Sequence, residues 1–257
     1  MQKLTRIKLK LDNTCGFNFS FCQGSLFHGF LMETISSDYA EELHDSELHP
    51  YSQYIDKQDN DLYWVINCTN SKSTENIISK LLHKDYVLLK KIDTELKIID
   101  KIYEEISYED LIRSFYREDA SRFITIRIKT PMSFKSNGEY CIFPDIRKIY
   151  KSLMNKYDAS MKDSENNLFD IDTLEELSEK TKIIRYNLRS AKFPLEGITV
   201  PSFVGSITLK INAPQSLVNF ANLLFKFGEF SGVGIKNSIG MGAISLETKE
   251  TKEHKES

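Results

Sequence analysis

The sequence predicts an α+β fold made of two successive βαββαβ units, and three observations carry that reading. Apolar and charged residues alternate with period two near the start of each half: Ile7, Leu9 and Leu11 between Arg6, Lys8 and Lys10, then Ile124, Ile126 and Ile128 beside Arg127 and Lys129. Apolar residues at helical spacing follow each of these strands. The order strand, helix, strand, strand, helix, strand then occurs in both halves.

In the first half, Leu26, Phe27, Phe30, Leu31 and Ile35 share one helical face, with Gly24 and Ser25 at its start. Ser36, Ser37 and Asp38 suit the cap of a second short helix that ends near His44. Strands are expected at 51–55 and 62–68, joined by the turn-like run 56–61. Ile77, Ile78, Leu81 and Leu82 mark the next helix, after which 86–89 and 96–102 read as extended. A helix at 109–119 leads to a boundary near 118–121. In the second half, Pro144 and Asp145 open a helix with Ile146, Ile149, Tyr150, Leu153, Met154 and Tyr157 on one side. An acidic, apolar-poor stretch at 158–179 follows, then strands within 183–193 and 206–211. Residues 217–227 are apolar nearly all round, as in a buried helix, closed by Gly228. A last strand at 243–246 precedes a charged tail, 249–257, expected to be disordered. This is the pattern of tandem ferredoxin-like domains, 1–119 and 120–248, each a four-stranded antiparallel sheet with helices on one face.

The chain has 257 residues, 40% hydrophobic and 28% charged, which suits a folded protein with a sizeable core. No apolar run reaches the ~18 residues a membrane helix needs, and the N-terminal segment lacks the apolar core of a signal peptide. A cytoplasmic protein with no membrane partner is expected. Cys15, Cys22, Cys68 and Cys141 form no C-x-x-C pair, so they read as thiols rather than a zinc site or a disulfide framework. The formal charge of −3 conceals an asymmetry. Residues 1–119 carry 14 Lys/Arg against 21 Asp/Glu, net −7, whereas the remainder carries 20 against 16, net +4. Outside the acidic stretch, residues 122–157 and 180–246 each hold eight basic and two acidic side chains. Because fields are screened within ~10 Å, this clustering governs phosphate binding more than the total does.

The most distinctive segment is 228–242, with five glycines in fifteen residues between a buried helix and a strand. Such a loop can offer backbone amides to phosphates, although it is neither a dinucleotide fingerprint nor a Walker loop. The pairs Gly232-x-Gly234 and Gly240-x-Gly242, with Lys236 between them, resemble the C-terminal glycine signature of the CRISPR-associated repeat-processing endoribonucleases, the sixth-numbered Cas family. The segments LFHGFLMETIS, TPMSFKSNGEYCIFPD and FKFGEFSGVGIKNSIGMG are most similar to the branch serving type III-A, Csm-associated systems. The resemblance implies cleavage of CRISPR precursor RNA within its repeats, without metal or other cofactor. It further implies transient contact with a Csm-type complex, and homodimers, which occur in the family.

Metal-free RNA cleavage needs a base for the ribose 2′-OH, an acid for the departing 5′-oxygen and a cation for the charged phosphorane. Histidine suits the first two, since its unperturbed pKa of ~6.5 allows both protonation states near neutrality. The family places one catalytic group in the first helix and a histidine near the next helical turn. His28 and His44 match those positions, although the family's usual tyrosine is absent from the first. The expected roles are His44 as general base and His28 as general acid or phosphate-orienting group. His49, beside Pro50, reads as a turn residue and stands in reserve with Lys57 and Tyr51. His44, Asp45, Glu47 and His49 also form a compact run, but without a helical metal-ligand spacing it reads as a solvated turn.

For RNA binding the sequence offers Gly232, Gly234, Lys236, Asn237, Ser238, Gly240 and Gly242 in the loop, Arg127 and Lys129 on one strand, and Arg185 and Arg189 on another with Lys192 beyond. Arg113 and Arg117 either reach the interdomain cleft or pair with Glu109 and Asp110 at helical spacing. Two other classes remain open at this level: a non-catalytic RNA-binding subunit of a ribonucleoprotein, and a ferredoxin-like protein binding a small effector.

Overall fold

The computed structural model describes residues 2–14, 16–59, 61–117, 120–161, 170–195 and 197–247; the tail at 249–257, the Arg117 side chain and Cys15 lie outside the described residues. The first alternation forms β1 (Lys3–Leu11), with Leu4, Ile7, Leu9 and Leu11 buried. β3 (Asp61–Cys68) and β5 (Thr94–Ser107) flank it antiparallel and set Ile66 and Tyr103 opposite Ile7. With β2 (Tyr51–Gln58) and β4 (Tyr86–Leu89) at the edges, the order is β2-β3-β1-β5-β4. Four strands in this order are the expected ferredoxin-like sheet. The fifth is an addition, because the segments read as merely extended at 86–89 and 96–102 pair with each other around Asp93, which adopts a left-handed conformation.

α1 (Gly24–Thr34) lays Phe27, Phe30 and Leu31 on this sheet, with the Phe27 and Trp64 rings 5.2 Å apart. α2 (Ser37–Asp45) begins where the Ser36 hydroxyl accepts from the Tyr39 amide and carries His44 in its last turn. A helical run of α3 (Ser71–Ser73), a π turn at Thr74–Ile78 and α4 (Ser79–Leu82) buries Ile77, Ile78 and Leu81. α5 (Tyr108–Arg117) leads into the second half, and Arg113 pairs there with Glu109 and Asp110.

The second sheet has the order β11-β6-β10-β9, from β6 (Phe123–Met132), β9 (Thr181–Leu195), β10 (Ile198–Ile211) and β11 (Ile244–Leu246). A hairpin of β7 (Phe134–Ser136) and β8 (Glu139–Cys141) turns at Asn137 and Gly138, both at positive φ, before α6 (Ile146–Ser160). Asp145 caps α6 by accepting from the Lys148 amide at 2.9 Å, and Ile149, Tyr150, Leu153, Met154 and Tyr157 of the apolar face read from the sequence are buried, with Ile146 partly so. Two expectations need correction. Within the acidic stretch lies a further helix, α7 (Ile171–Lys180), whose Leu174 and Leu177 pack into the core although carboxylates dominate its composition. α8 (Gln215–Ser231) runs through Gly228 and closes only at Gly232. A methyl at Gly228 would lie 2.8 Å from Leu153 Cδ2, so this glycine serves helix packing, not termination.

A third apolar cluster joins the halves: Leu4, Tyr108 and Leu111 from the first against Tyr157, Leu223, Phe227 and Phe230 from the second. Burying each such side chain contributes about 1.5–3 kcal/mol. Arg6 lies over the Phe230 ring at 4.5 Å and donates to the Glu229 carbonyl. The end of α8 is therefore fixed against β1, which sets where the glycine segment begins.

Candidate active site

Beyond α8, the chain folds around Asn237. Its buried Nδ2 donates to the carbonyls of Val233 (3.2 Å) and Met241 (2.9 Å), while its Oδ1 accepts from Lys156. Gly232 and Gly242 have positive φ, and a methyl on either would sit 2.5–2.6 Å from that Nδ2. Their amides bond within the protein, Gly232 to Gly228 and Gly242 to Pro131, as do those of Gly240 to Asn237 and Gly234 to the Ser152 hydroxyl. The expectation that glycine amides face a phosphate is thus corrected: these glycines let the loop close on itself. Between residues 232 and 242, the amides of Lys236, Asn237 and Ser238 alone find no acceptor among the described residues. The Asn237 side chain is equally committed to the loop.

The loop is docked onto the first domain. Gln53 Nε2 donates to the carbonyls of Gly24 (2.8 Å) and Ser238 (3.1 Å), its Oε1 accepts from Trp64, and the Ser52 hydroxyl donates to Phe230. A methyl on Gly24 would lie 2.2 Å from the Ile239 carbonyl oxygen, so α1 approaches the loop backbone to backbone.

This docking sets the first-domain histidines beside the loop. His28 on α1 is half-buried, and its Nδ1 lies 3.1 Å from the Tyr51 hydroxyl. Burial pulls its imidazole down to about 4; nearby His49 adds to the effect and a backbone hydrogen bond at Ser238 opposes it. A ring so placed is engaged inside the protein, between Tyr51 and Ser238. Tyr51 is 1% exposed, and burial pushes its hydroxyl well above the ordinary tyrosine range, with a Ser238 side-chain hydrogen bond opposing. Tyr51 is therefore a neutral hydroxyl that braces His28.

His49, read as a turn residue, lines a cleft. This cleft of about 560 Å³ is bounded by Glu47, His49, Tyr51, Lys135, Lys156 and the loop from Gly234 to Ile239. His49 Nδ1 is buried and has no hydrogen-bond partner among the described residues, and the ring lies 5.7 Å from Tyr51. Burial, and then the proximity of His44, lower its pKa. His44 itself is exposed in the last turn of α2. The signal in sequence was the five-residue spacing from His44, which no helix or strand period relates to a common face.

Lys156, absent from the expected site, has its ammonium beneath the loop, donating to the carbonyls of Gly232 and Gly234 at 3.0 Å each and to Asn237. Burial pulls it down to about 7. The three acceptors oppose this, because a neutral amine has only two hydrogens to offer.

The basic strand residues divide. Lys57, Arg127, Lys129 and Arg189 line a separate groove of about 680 Å³ between the domains, with Asn187 and Ser206. Ser206 pairs with Arg127 on one side and Asn187 on the other, placing this row on one sheet face. Arg127, Arg185, Arg189 and Lys192 are exposed, but Lys192 is three residues beyond Arg189 and so on the opposite face of β9. Lys129 is spent within the protein: it pairs with Asp56 at 2.7 Å and lies over the Tyr54 ring. Lys57 donates to Asn18 and, six residues along β2 from Tyr51, is about 20 Å from it, away from the histidines. Among the described residues, no three of His, Cys, Asp and Glu come together as metal ligands. No helix described is long and apolar enough to cross a membrane.

The comparisons with known proteins agree on one family. A Streptococcus thermophilus protein described as CRISPR-associated endoribonuclease Cas6 is 33% identical over 224 residues, which span 87% of this chain and 91% of the relative. The chain belongs to the Cas6 family. A Cas6 from Mycobacterium tuberculosis is 30% identical over 227 residues, 87% of this chain and 71% of that one. The family model for CRISPR-associated endoribonuclease Cas6 matches residues 126–244, which contain the glycine segment but not the histidines. Among solved structures, a Cas6 product complex superposes with a TM-score of 0.80 at 20% identity, covering 96% of this chain and all of the other. Thermus thermophilus Cas6 gives 0.73 at 19%, covering 96% and 99%. At such identity these Cas6 structures establish the tandem ferredoxin-like fold.

Proposed function

We propose that the chain cleaves CRISPR precursor transcripts within their repeats by attack of a ribose 2′-OH on the adjacent phosphate. The products are a 2′,3′-cyclic phosphate (or 3′-phosphate) and a 5′-OH. The observation that carries this reading is the meeting, in one cleft, of His49 and Tyr51 from the first domain with Lys236 and Ser238 from the second, His44 standing alongside. His44 and His49 supply the two proton transfers. His49, kept neutral by burial and by its neighbour, takes the 2′-OH proton. His44, exposed in the last turn of α2, gives one to the leaving oxygen. This exchanges the base role expected of His44 from sequence. Lys236, Lys135 and the amides of Lys236 to Ser238 face the phosphate. His28 is the positioning residue that holds Tyr51, and the exposed Arg127, Arg185 and Arg189 track the RNA backbone.

The similarity of LFHGFLMETIS and the other quoted segments supports a type III-A, Csm-associated, cytoplasmic setting. The test is incubation of the protein with its own repeat RNA in EDTA and mapping of the product ends. A 2′-deoxyribose just 5′ of the cut is expected to stop cleavage and leave binding intact. His44→Ala is expected to slow cleavage about 10²- to 10⁴-fold. Cleavage of the deoxy substrate at the same bond would refute the mechanism; binding with no cleavage of any repeat RNA would leave a carrier of RNA rather than an enzyme.

A further inference from the structure

Lys156 and Ser152 stand four residues apart on α6 and so share a face, and both hold the loop: Ser152 accepts from the Gly234 amide, and Lys156 donates to Gly232, Gly234 and Asn237. All three acceptors of Lys156 are neutral. No carboxylate among the described residues pairs with it; Glu47 borders the same cleft without reaching it. An enclosed cation without a counter-ion is costly unless a charge arrives to complete it. Lys156 itself borders the cleft, as do Lys236, Asn237 and Ser238, whose backbone amides find no acceptor among the described residues.

We infer that Lys156 is a positioning residue for RNA: its ammonium gathers two loop carbonyls and Asn237 to one side, so that the amides of Lys236 to Ser238 are turned toward the cleft, and its unbalanced charge is completed by a substrate phosphate held there. The inference rests on the RNA-cleaving reading of this cleft. It assigns to the loop a cation borrowed from α6, beyond the loop's own Lys236. Part of the loop's affinity for anions then resides in a residue outside the glycine segment.

The test compares wild type, Lys156→Met and Lys156→Arg for binding of a repeat RNA blocked by a 2′-deoxyribose at the cut, over a range of salt concentrations. Neutralising a phosphate contact lowers the slope of log affinity against log salt by about 1. Lys156→Met is expected to weaken binding about tenfold and to reduce the slope by that amount. Lys156→Arg, which keeps the charge on a head too broad for the three acceptors, is expected to weaken binding but keep the wild-type slope. On cleavable RNA the Met variant is expected to raise KM and also to lower kcat, because the amides that Lys156 orients face the reacting phosphate. Equal slopes for Met and wild type, or equal slopes for Met and Arg, would overturn the inference, since a merely structural strut loosens binding without changing the number of phosphates neutralised. Should Lys156→Met fail to fold, Lys156→Gln serves in its place, with melting curves confirming the native state. Wild type that binds no repeat RNA would instead overturn the reading on which the inference rests.

Discussion

His28 makes the fold sensitive to mild acid. Its imidazole titrates near 4 in the folded chain, mainly through burial, against an ordinary histidine value of 6.5. As pH falls through 6.5 the unfolded chain gains a proton that the folded chain does not take up until about 4, so stability falls across that window. For this single group the loss is about 2 kcal/mol at about pH 5 and approaches 3 kcal/mol at about pH 4, from the difference between the two titrations. His49, lowered in the same direction, adds to it. His28→Asn keeps an acceptor near the place of Nδ1, for the Tyr51 hydroxyl, and removes the titrating ring. Urea denaturation of wild type and variant at about pH 7 and about pH 5 is the assay, with the midpoint and slope giving the stability at each. The variant is expected to lose about 2 kcal/mol less than wild type between the two conditions. An equal loss in both proteins would show that His28 is protonated in the folded state, and would return it to candidacy as an acid.

Four further outcomes follow from the geometry. Arg127→Ala removes an exposed cation from the interdomain groove and is expected to weaken RNA binding and lower its salt slope by about 1, read by filter binding. Lys129→Met strands Asp56 in a partly buried pocket, so it is expected to cost about 1–3 kcal/mol of stability by urea melts, with that salt slope retained. Gly24→Ala is favourable for an isolated helix by about 1 kcal/mol, yet its methyl meets the Ile239 carbonyl. The melting temperature is expected to fall, through overpacking of about 1–3 kcal/mol, and cleavage to fall with it. Ser36→Ala removes the cap of α2 and is expected to cost about 1 kcal/mol in thermal unfolding.

Much of this fold was legible because period-two and helical patterns mark faces that the sheet and helices bury. Ile7, Leu9 and Leu11, or Ile149, Leu153 and Tyr157, take one side by geometry alone. The misses have physical causes. In α7 two leucines suffice to anchor a helix whose other residues are acidic, so composition masked it. Gly228 reads as a helix stop in one dimension, but its missing side chain makes room for Leu153, a contact set by a helix 75 residues away in sequence. The hairpin at Asn137 and Gly138 carried a turn signal that short strands hid. At the site, the sequence supplied the loop and the histidine-bearing region but not their division of labour. Which of His28, His44 and His49 is enclosed depends on Tyr51 and Ser238 closing over the first, and Lys156 meets the loop only through the tertiary fold.

Among the ties between the two halves, the side-chain amide of Gln53 is shared between the carbonyls of Gly24 and Ser238. Each half thereby carries part of the other's specification: the start of α1 and the turn of the loop are correct only in each other's presence. A hybrid that joined this amino-terminal half to the carboxy-terminal half of a distant relative would keep both sheets and lose the cleft, unless position 53 and the backbone it clasps were transplanted as a unit.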